Sequence, residues 1–224
     1  MKKITTYLFF LCTLMGGISK GQNFSYSIQK DSSIYSDLVS PTVLVSEQSL
    51  TNRNFHLHLP FSFNFCGTAT DSVIIETNGF VVLDKQKQLA VVAYSNFRSR
   101  KDTNGLYVAS IGYQVSGTAG SRILKIQFSN FAQHISSSSD FLNYQVWLYE
   151  GSNKAEIHTG ANASFGNPVM MGIINRNMDS DDKAYLLSGN PSSPSGQIVT
   201  GDSEFVYINA APAAGVIYTF TPTF

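Results

Sequence analysis

Cysteine is nearly absent from this chain of 224 residues, which contains two, Cys12 and Cys66. Cys12 lies in an N-terminal apolar run that we expect to be removed, so Cys66 would be the single cysteine of the mature protein. A single cysteine excludes an intrachain disulfide. Nothing near Cys66 in the stretch FSFNFCG favours a thiolate, and we interpret this residue as a small buried apolar side chain rather than as a nucleophile.

Neither sign of charge dominates, since 15 basic residues face 15 acidic ones. Loss of Lys2, Lys3 and Lys20 with the N-terminal segment would leave 12 basic and 15 acidic residues, a formal charge of −3. This mild acidity gives no electrostatic footprint for nucleic acid or for an anionic membrane surface. Beyond the N-terminus, no apolar run approaches the roughly 20 residues of a spanning helix.

Catalytic signatures are also missing. The sequence has no G-x-S-x-G elbow and no recognisable order of Ser, His and Asp. Paired carboxylates for glycoside hydrolysis remain an alternative, because sequence alone does not bring any two acids together. We predict that the protein is not an enzyme, with a carbohydrate-active enzyme as the alternative.

The first residues predict export. Met1-Lys2-Lys3 forms a basic start, YLFFLCTLM an apolar run, and GGISKG a small-residue stretch where a signal peptidase would cut after Ser19 or Gly21. We therefore predict a signal peptide over residues 1–21 and one mature domain over residues 22–224. Within that domain, the Ser-rich residues 22–50 are interpreted as an extended lead-in with one or two strands. The expected location is the periplasm, the cell surface or the medium.

Alternation of apolar and polar residues predicts strands throughout the mature chain. The clearest case is FHLHLPFSFNF (residues 55–65), where Pro60 on the polar side indicates an edge strand or a bulge. VII and FVVL, joined through Thr77-Asn78-Gly79, predict a hairpin whose turn needs positive φ and whose residues Val73, Ile75, Phe80 and Val82 feed the core. Further strands are predicted in ILKIQF, VMMGIIN, AYLL, EFVYI and GVIYTFTP.

A second hairpin is predicted in FLNYQVWLYEGSNKAEIHTG, with its turn at Gly151-Ser152-Asn153. No segment shows a clean helical stripe. Short strands with Gly, Asn, Ser and Pro between them predict an all-β fold, a single antiparallel β-sandwich or jelly roll of about ten to fourteen strands.

The stretch NRNMDSDDK contains the best candidate for a metal site. Oxygen-bearing side chains recur at Asn175, Asn177, Asp179 and Asp181, with Asp182 next to them, and such spacing can wrap a hard cation such as calcium. The stretch lacks the glycine and the glutamate of an EF-hand, so a solvated polar turn is the alternative. His56 and His58 share one face of a strand, but a metal there would need a further ligand, and we interpret both as solvent-facing. No other cofactor is expected.

Aromatic side chains provide a third candidate. Strand alternation directs Trp147 and Tyr149 away from Val146 and Leu148, and exposed aromatics on a sandwich can stack on sugar rings. The alternative is that the strand is covered on both faces. We therefore consider a carbohydrate platform at Trp147 and Tyr149 beside a purely structural role.

Several stretches together resemble a known module. LPFSFNFCGTATDSVIIETNGFVVLD, RILKIQFSNF, the second hairpin and the terminal GVIYTFTP resemble a β-sandwich module of secreted and surface proteins of the Bacteroidetes. More distantly, their order is similar to nidogen-like extracellular domains. The resemblance covers about residues 55–222 and rests on the order and spacing of motifs that are mostly strand and turn chemistry.

The resemblance implies a non-catalytic module, often an N-terminal part of larger adhesin-like or surface proteins, with no catalytic residues to carry over. We expect the module to bind protein or glycan through loops at one end of the sandwich or through one exposed sheet face. Larger relatives carry a C-terminal sorting domain, and this sequence ends directly after the closing strand, so we draw no expectation of export across the outer membrane. Those bacteria also O-glycosylate Asp-Ser/Thr-aliphatic triplets, and Asp71-Ser72-Val73 fits, which makes Ser72 a candidate acceptor. The expected function is a secreted interaction or structural module, and the alternative is a calcium-dependent carbohydrate-binding protein or a carbohydrate-active enzyme.

Overall fold

A computed structural model describes residues 25–50, 53–65, 67–84, 89–93, 98–132, 140–163, 168–175, 183–200 and 205–223. These residues contain no helix, and therefore no helix long and apolar enough to cross a membrane. The predicted signal peptide (residues 1–21) and Cys66 lie outside the described residues. The strands are β1 (Tyr26–Ser32), β2 (Thr42–Ser46), β3 (Asn54–Phe65), β4 (Thr68–Glu76), β5 (Phe80–Asp84), β6 (Leu89–Ala93), β7 (Arg98–Ser99), β8 (Ser110–Ser116), β9 (Ile123–Ala132), β10 (Phe141–Tyr149), β11 (Ala155–Ala163), β12 (Met171–Asn175), β13 (Lys183–Ser188), β14 (Ser195–Thr200) and β15 (Val216–Pro222).

The strands form two antiparallel sheets that pack face to face, which confirms the predicted all-β sandwich. One sheet has eight strands in the order β1-β15-β11-β10-β9-β8-β2, with the two-residue β7 paired to β9. The other has seven in the order β14-β13-β12-β6-β5-β4-β3. The described residues thus hold fifteen strands, slightly above the expected number, partly because β7 is so short.

Alternation along the central strands builds the core between the sheets. Leu124, Ile126 and Phe128 of β9 are fully buried, and the neighbouring β10 contributes Tyr144. The rings of Phe128 and Tyr144 stack at 4.5 Å with their planes 7° apart, a favourable aromatic pair beyond the area it buries. The opposite side chains of these strands face away from the second sheet, and we call that side the outer face of the eight-stranded sheet.

Strand β3 behaves as its sequence predicts. It lies at the edge of the seven-stranded sheet, and its pairing with β4 shifts register between His58 and Phe63, around the exposed Pro60. Proline lacks an amide hydrogen, so an edge with an irregular ladder is where it costs least. Leu59, Phe61, Phe63 and Phe65 are buried in the core.

The Asn78-Gly79 hairpin forms, but its turn differs from the expected one. Only Gly79 of the pair has positive φ (100°), and the Gly79 amide donates to the Glu76 carbonyl at 3.1 Å. This is a three-residue loop, in which an ordinary turn is followed by a glycine in the left-handed region. The loop length places Val81 rather than Val82 opposite Ile75.

The prediction that Phe80 and Val82 feed the main core is therefore wrong, because β5 directs these two side chains to the other side of the sheet. Val81 and Leu83 join the main core together with Val73 and Ile75. Val82 pairs with Ile74 instead and is directed to the other side of the sheet, where Phe80 packs against a second apolar cluster.

The second hairpin is confirmed. β10 pairs with β11 in the register Trp147 opposite Glu156, and the turn between them uses positive φ at Gly151 and Asn153. The predicted strand EFVYI is wrong over its described residues, where Ile208 makes isolated bridges only. Phe205 and Val206 instead pack on the second apolar cluster, outside the seven-stranded sheet.

The connection between β1 and β2 crosses the outer face. β1 pairs with β15 at one edge of the eight-stranded sheet, and β2 pairs with β8 at the other edge. Residues 33–41, which we call the crossing segment, therefore traverse the intervening strands. The interpretation of residues 22–50 as a lead-in identified the strands but not this path.

Candidate functional site

The outer face presents one row of polar and aromatic side chains from neighbouring strands. Lys125 of β9, Trp147 of β10 and Glu156 of β11 are paired across the sheet. Trp147 and Tyr149 both lie on this face and both are half-buried, as alternation along β10 predicts. Their rings are 6.3 Å apart and tilted by 45°.

Trp147 is contacted from both flanking strands. The Lys125 ammonium lies 3.9 Å from the centroid of the indole ring, and the His158 ring stacks on the indole at 3.9 Å with an interplanar angle of 22°. Since β9 and β11 flank β10 on opposite sides, cation and imidazole approach from opposite sides. A sugar stacked flat on Trp147 would have to displace one of them, which leaves the indole edge as the accessible part.

Glu156 organises the charged half of this row. Its carboxylate accepts hydrogen bonds from Tyr149 Oη at 2.5 Å and Lys154 Nζ at 2.8 Å, and it lies 2.8 Å from His158 Nε2. Only 10% of its side chain is exposed. Burial alone raises the pKa of this carboxyl, but the hydrogen bonds from His158, Lys154 and Tyr149 outweigh burial and lower the pKa from 4.5 to about 2.

The same contacts act on Tyr149. Burial, and next its hydrogen bond to the Glu156 carboxylate, raise the pKa of the phenol well above its ordinary value. A carboxyl that stays ionised to about pH 2 is poorly matched to proton transfer near neutral pH. The arrangement of Glu156 and Tyr149 therefore favours fixed charge and binding over general acid–base chemistry.

Glutamine side chains on three adjacent strands hold the crossing segment on the sheet. Gln145 Nε2 donates to the Ser36 carbonyl at 2.9 Å, Gln127 Oε1 accepts from the Leu38 amide at 2.7 Å, and Gln114 Nε2 donates to the Val39 carbonyl at 3.0 Å.

The glutamine row is also linked to the tryptophan. Gln145 Nε2 donates to Gln127 Oε1, and Gln145 Oε1 accepts from Trp147 Nε1, both at 2.8 Å. The position of the indole is thereby coupled to the position of the crossing segment.

A pocket of about 310 Å³ lies between the crossing segment and the sheet. We call it the outer pocket. The crossing segment lines it with residues 33–39, and the sheet with Gln114, Lys125, Gln145, Trp147 and His158. Amides, hydroxyls, one ammonium, one carboxylate, one imidazole and one indole thus meet in a single concave space.

A second pocket of about 630 Å³ shares Ser33, Ile34 and Tyr35 with the outer pocket. Tyr35 lies directly over β11, because a Cβ atom on Gly160 would stand 2.8 Å from the Tyr35 ring. Glycine at position 160 is therefore what allows the aromatic ring to approach the sheet. Burial, followed by the charge of Asp37, raises the pKa of the Tyr35 phenol.

The structure describes little of the predicted calcium site. Of its candidate ligands, Asn177, Asp179, Asp181 and Asp182 lie outside the described residues, and Asn175 is described only in its backbone, as the last residue of β12. Elsewhere in the described part of the chain, no group of three or more His, Cys, Asp and Glu side chains is placed to hold a metal ion. His56 and His58 are exposed, in agreement with the solvent-facing interpretation.

Ser72 is exposed on β4, opposite His58 of β3. It belongs to the seven-stranded sheet and lies on the side that faces away from the core, whereas the outer pocket lies on the eight-stranded sheet. Its role as a glycan acceptor stays a prediction. A modification at Ser72 would leave the outer pocket accessible.

Most residues around Trp147 were missed by sequence reasoning. Alternation along β11 places Glu156 on the face opposite Ala155 and Ile157, but its position opposite Trp147 depends on a four-residue turn (150–153) that the sequence did not indicate. Lys125 and Gln145 lie on strands whose alternation was recognised. Their neighbours on adjacent strands, however, depend on the order of the strands in the sheet, which alternation does not give. No local pattern indicated Tyr35 and Asp37, since the crossing segment lies over this face only because β1 pairs with β15 and β2 with β8, at opposite edges of the sheet.

Comparison with known families gives one match. A sequence model described as NIDO related matches residues 25–222, nearly the whole chain. No curated protein and no solved structure matches. The chain belongs to the NIDO-related family, which indicates an extracellular interaction module in general terms.

Proposed function

We propose, since this chain is a member of the NIDO-related family, that it is a secreted, non-catalytic, adhesin-like module that binds glycan through the outer face of its eight-stranded sheet. The predicted signal peptide and the mild negative charge of the mature chain support export and argue against nucleic acid as a partner. The implied origin in the Bacteroidetes and a position at the cell envelope are parts of the same proposal.

The outer pocket is the observation that carries this proposal. Its volume of about 310 Å³ lies at the lower end of the range for ligand sites and is matched to a sugar ring rather than to a large molecule. Hydroxyls of Ser33 and Ser36 and the side-chain amide of Gln114 provide donors and acceptors in a half-enclosed space, and the Trp147 edge provides an apolar contact.

Continuity of the two pockets favours an oligosaccharide. The larger pocket shares three residues of the crossing segment with the outer pocket, so successive sugar rings would follow that segment. Rings in the larger pocket would contact backbone and small side chains, and the ring in the outer pocket would contact the polar cluster. The interaction would be weak per ring and would gain from chain length.

Protein binding is the second candidate function. Ile34 and Val39 of the crossing segment are 92% and 78% exposed, and Val43 of β2 is 57% exposed. A protein partner would cover these side chains rather than fill the outer pocket. The calcium-dependent alternative depends on residues 175–182, most of which lie outside the described part of the chain.

A glycan array with the mature protein tests the proposal. Ser36→Arg places a large side chain at the exposed rim of the outer pocket, and Ser193→Arg makes the same change on an exposed loop away from it. We expect wild type and Ser193→Arg to bind a defined set of glycans and Ser36→Arg to lose that binding. Absence of glycan binding, or binding that survives Ser36→Arg, would contradict the proposal.

Calcium dependence is read in the same experiment. The array is repeated with EDTA in place of calcium, and the proposal expects the same glycans with the same intensities. Binding that disappears with EDTA would favour the calcium-dependent alternative and direct attention to Asn175 and Asp182.

A further inference from the structure

We propose that the outer pocket selects an acidic sugar, a ring that carries one carboxylate, and that Lys125 binds this carboxylate. The inference rests on the proposed glycan function and adds the charge of the ligand to it. It follows from the one lysine that lines the outer pocket, from the groups around that lysine, and from the size of the space.

Lys125 differs from other basic residues nearby in its partners. Lys154 and Arg122 each form an ion pair, with Glu156 and Glu150 respectively. Among the described residues, no carboxylate lies within ion-pair distance of Lys125, whose contact is the face of Trp147. A ring face neutralises no charge and accepts no ordinary hydrogen bond, so the ammonium keeps donors for a ligand.

The indole also holds the ammonium in place. Lys125 Nζ lies 3.9 Å from the ring centroid, and the ring is fixed by its hydrogen bond to Gln145 and by the stacked His158. A positioned ammonium loses less conformational entropy on binding than a free lysine side chain. The pocket therefore contains a pre-positioned positive charge next to solvent.

Other groups in the outer pocket require hydroxyls as well as a carboxylate. The Asp37 carboxylate accepts from Gln127 Nε2 at 3.0 Å and can accept further hydrogen bonds, and Gln114 uses an amide hydrogen on Val39, which leaves its carbonyl oxygen as an acceptor. Asp37 repels a bare anion but accepts from a hydroxyl. A ligand with one carboxylate and several hydroxyls matches this lining, whereas a small inorganic anion or a neutral ring matches only part of it.

Trp147 gives a direct signal of occupancy, because it is the single tryptophan of the chain. Its intrinsic fluorescence reports on the outer pocket with no contribution from other tryptophans. The mature protein is titrated with D-glucuronate and D-galacturonate, each beside its neutral parent, D-glucose or D-galactose, and with acetate. Calorimetry on the same solutions measures affinity independently of fluorescence.

We expect one of the two uronates to give a saturable fluorescence change, and its neutral parent and acetate to bind at least roughly tenfold more weakly, as the loss of a charge-assisted hydrogen bond predicts. Lys125→Gln should weaken uronate binding by a similar factor and leave the affinity for the neutral parent unchanged. Lys154→Gln is the matched control, because its ammonium lies 3.9 Å over Tyr149 but does not line the outer pocket. It should bind the uronate as wild type does.

Lys125→Arg separates charge from folding. Arginine keeps both the positive charge and the contact with an aromatic face, so this variant should retain uronate binding within a few-fold of wild type. If neither Lys125→Gln nor Lys125→Arg binds although both unfold at the wild-type temperature, the assigned role of the charge is wrong.

The outcomes distinguish this inference from the proposed function. Equal affinity for the uronate and its neutral parent, or an unaffected Lys125→Gln, would overturn the acidic-sugar inference. A glycan array positive only for neutral glycans would do the same while supporting the proposed function. An array without any binding, together with no response to either uronate, would overturn both.

Discussion

We predict that the ionised Glu156 carboxylate, held by Tyr149, Lys154 and His158, stabilises the folded protein. Replacement by glutamine keeps the shape of the side chain and removes its charge. A lowering of the pKa from 4.5 to about 2 on folding corresponds to about 3 kcal/mol of stability at neutral pH. Glu156→Gln should therefore lower the free energy of unfolding by about 3 kcal/mol at pH 7.

The dependence on pH has a definite sign. The folded-state pKa lies below the unfolded one, so the stabilisation is fully present above about pH 4.5 and is lost as the pH falls toward 2. The difference between wild type and Glu156→Gln should fall to about half near pH 3 and to less than about 0.5 kcal/mol at pH 2. Urea unfolding, followed by circular dichroism at a series of pH values, measures this difference.

A surface carboxylate provides the control. Glu47 is exposed, and Glu47→Gln should change stability by less than about 0.5 kcal/mol at every pH. A difference between wild type and Glu156→Gln that stays constant from pH 7 to pH 2.5 would refute the reasoning, because it would show that packing rather than the ionised carboxylate stabilises the cluster.

Three further predictions concern the core and the crossing segment. Phe128→Ala removes a buried ring stacked on Tyr144 and should cost about 3 to 5 kcal/mol by urea unfolding; a cost below about 1 kcal/mol would contradict the packing described. Gln127→Ala removes the acceptor of the Leu38 amide and should increase amide hydrogen exchange in residues 36–39 while β10 stays protected; unchanged exchange would show that this glutamine does not hold the segment. Gly160→Ala should displace Tyr35 and give the same local increase, and its absence would show that the ring adapts without moving the backbone.

Local sequence patterns predicted a strand and its buried face wherever the alternation within that strand is sufficient to define them. The alternation in β3, with Pro60 on its polar side, indicated an edge strand or a bulge, and the structure has both. The hairpin of β10 and β11 was predicted with its turn at Gly151-Ser152-Asn153, but its register was not, because four residues (150–153) rather than three connect the paired Tyr149 and Lys154.

Turn length limited the prediction at Asn78-Gly79. The dipeptide indicates a hairpin, but a three-residue loop reverses which side of β5 faces the core compared with the two-residue alternative. Val81 and Leu83 therefore occupy the main core where Phe80 and Val82 were expected. A difference of one residue in the loop is enough for this exchange.

Non-local pairing limited the prediction of the site. Trp147 and Tyr149 were placed on the correct face from alternation alone. The outer pocket requires β1 and β2 at opposite edges of one sheet, and that order joins residues more than 180 positions apart, such as Tyr26 and Pro222. No local pattern encodes this pairing, so neither Tyr35 nor Asp37 could be assigned to the site.

The indole resonance of Trp147 tests the central claim most directly. As the single tryptophan, it gives one indole N–H signal in a proton–nitrogen correlation spectrum, and that N–H donates to Gln145 Oε1 at 2.8 Å beside the outer pocket. During titration with a glycan that the array identifies, we expect this signal to shift and saturate together with amides of residues 33–39. Saturable binding that shifts other resonances and leaves the Trp147 indole unchanged would contradict the assignment of this face as the binding site.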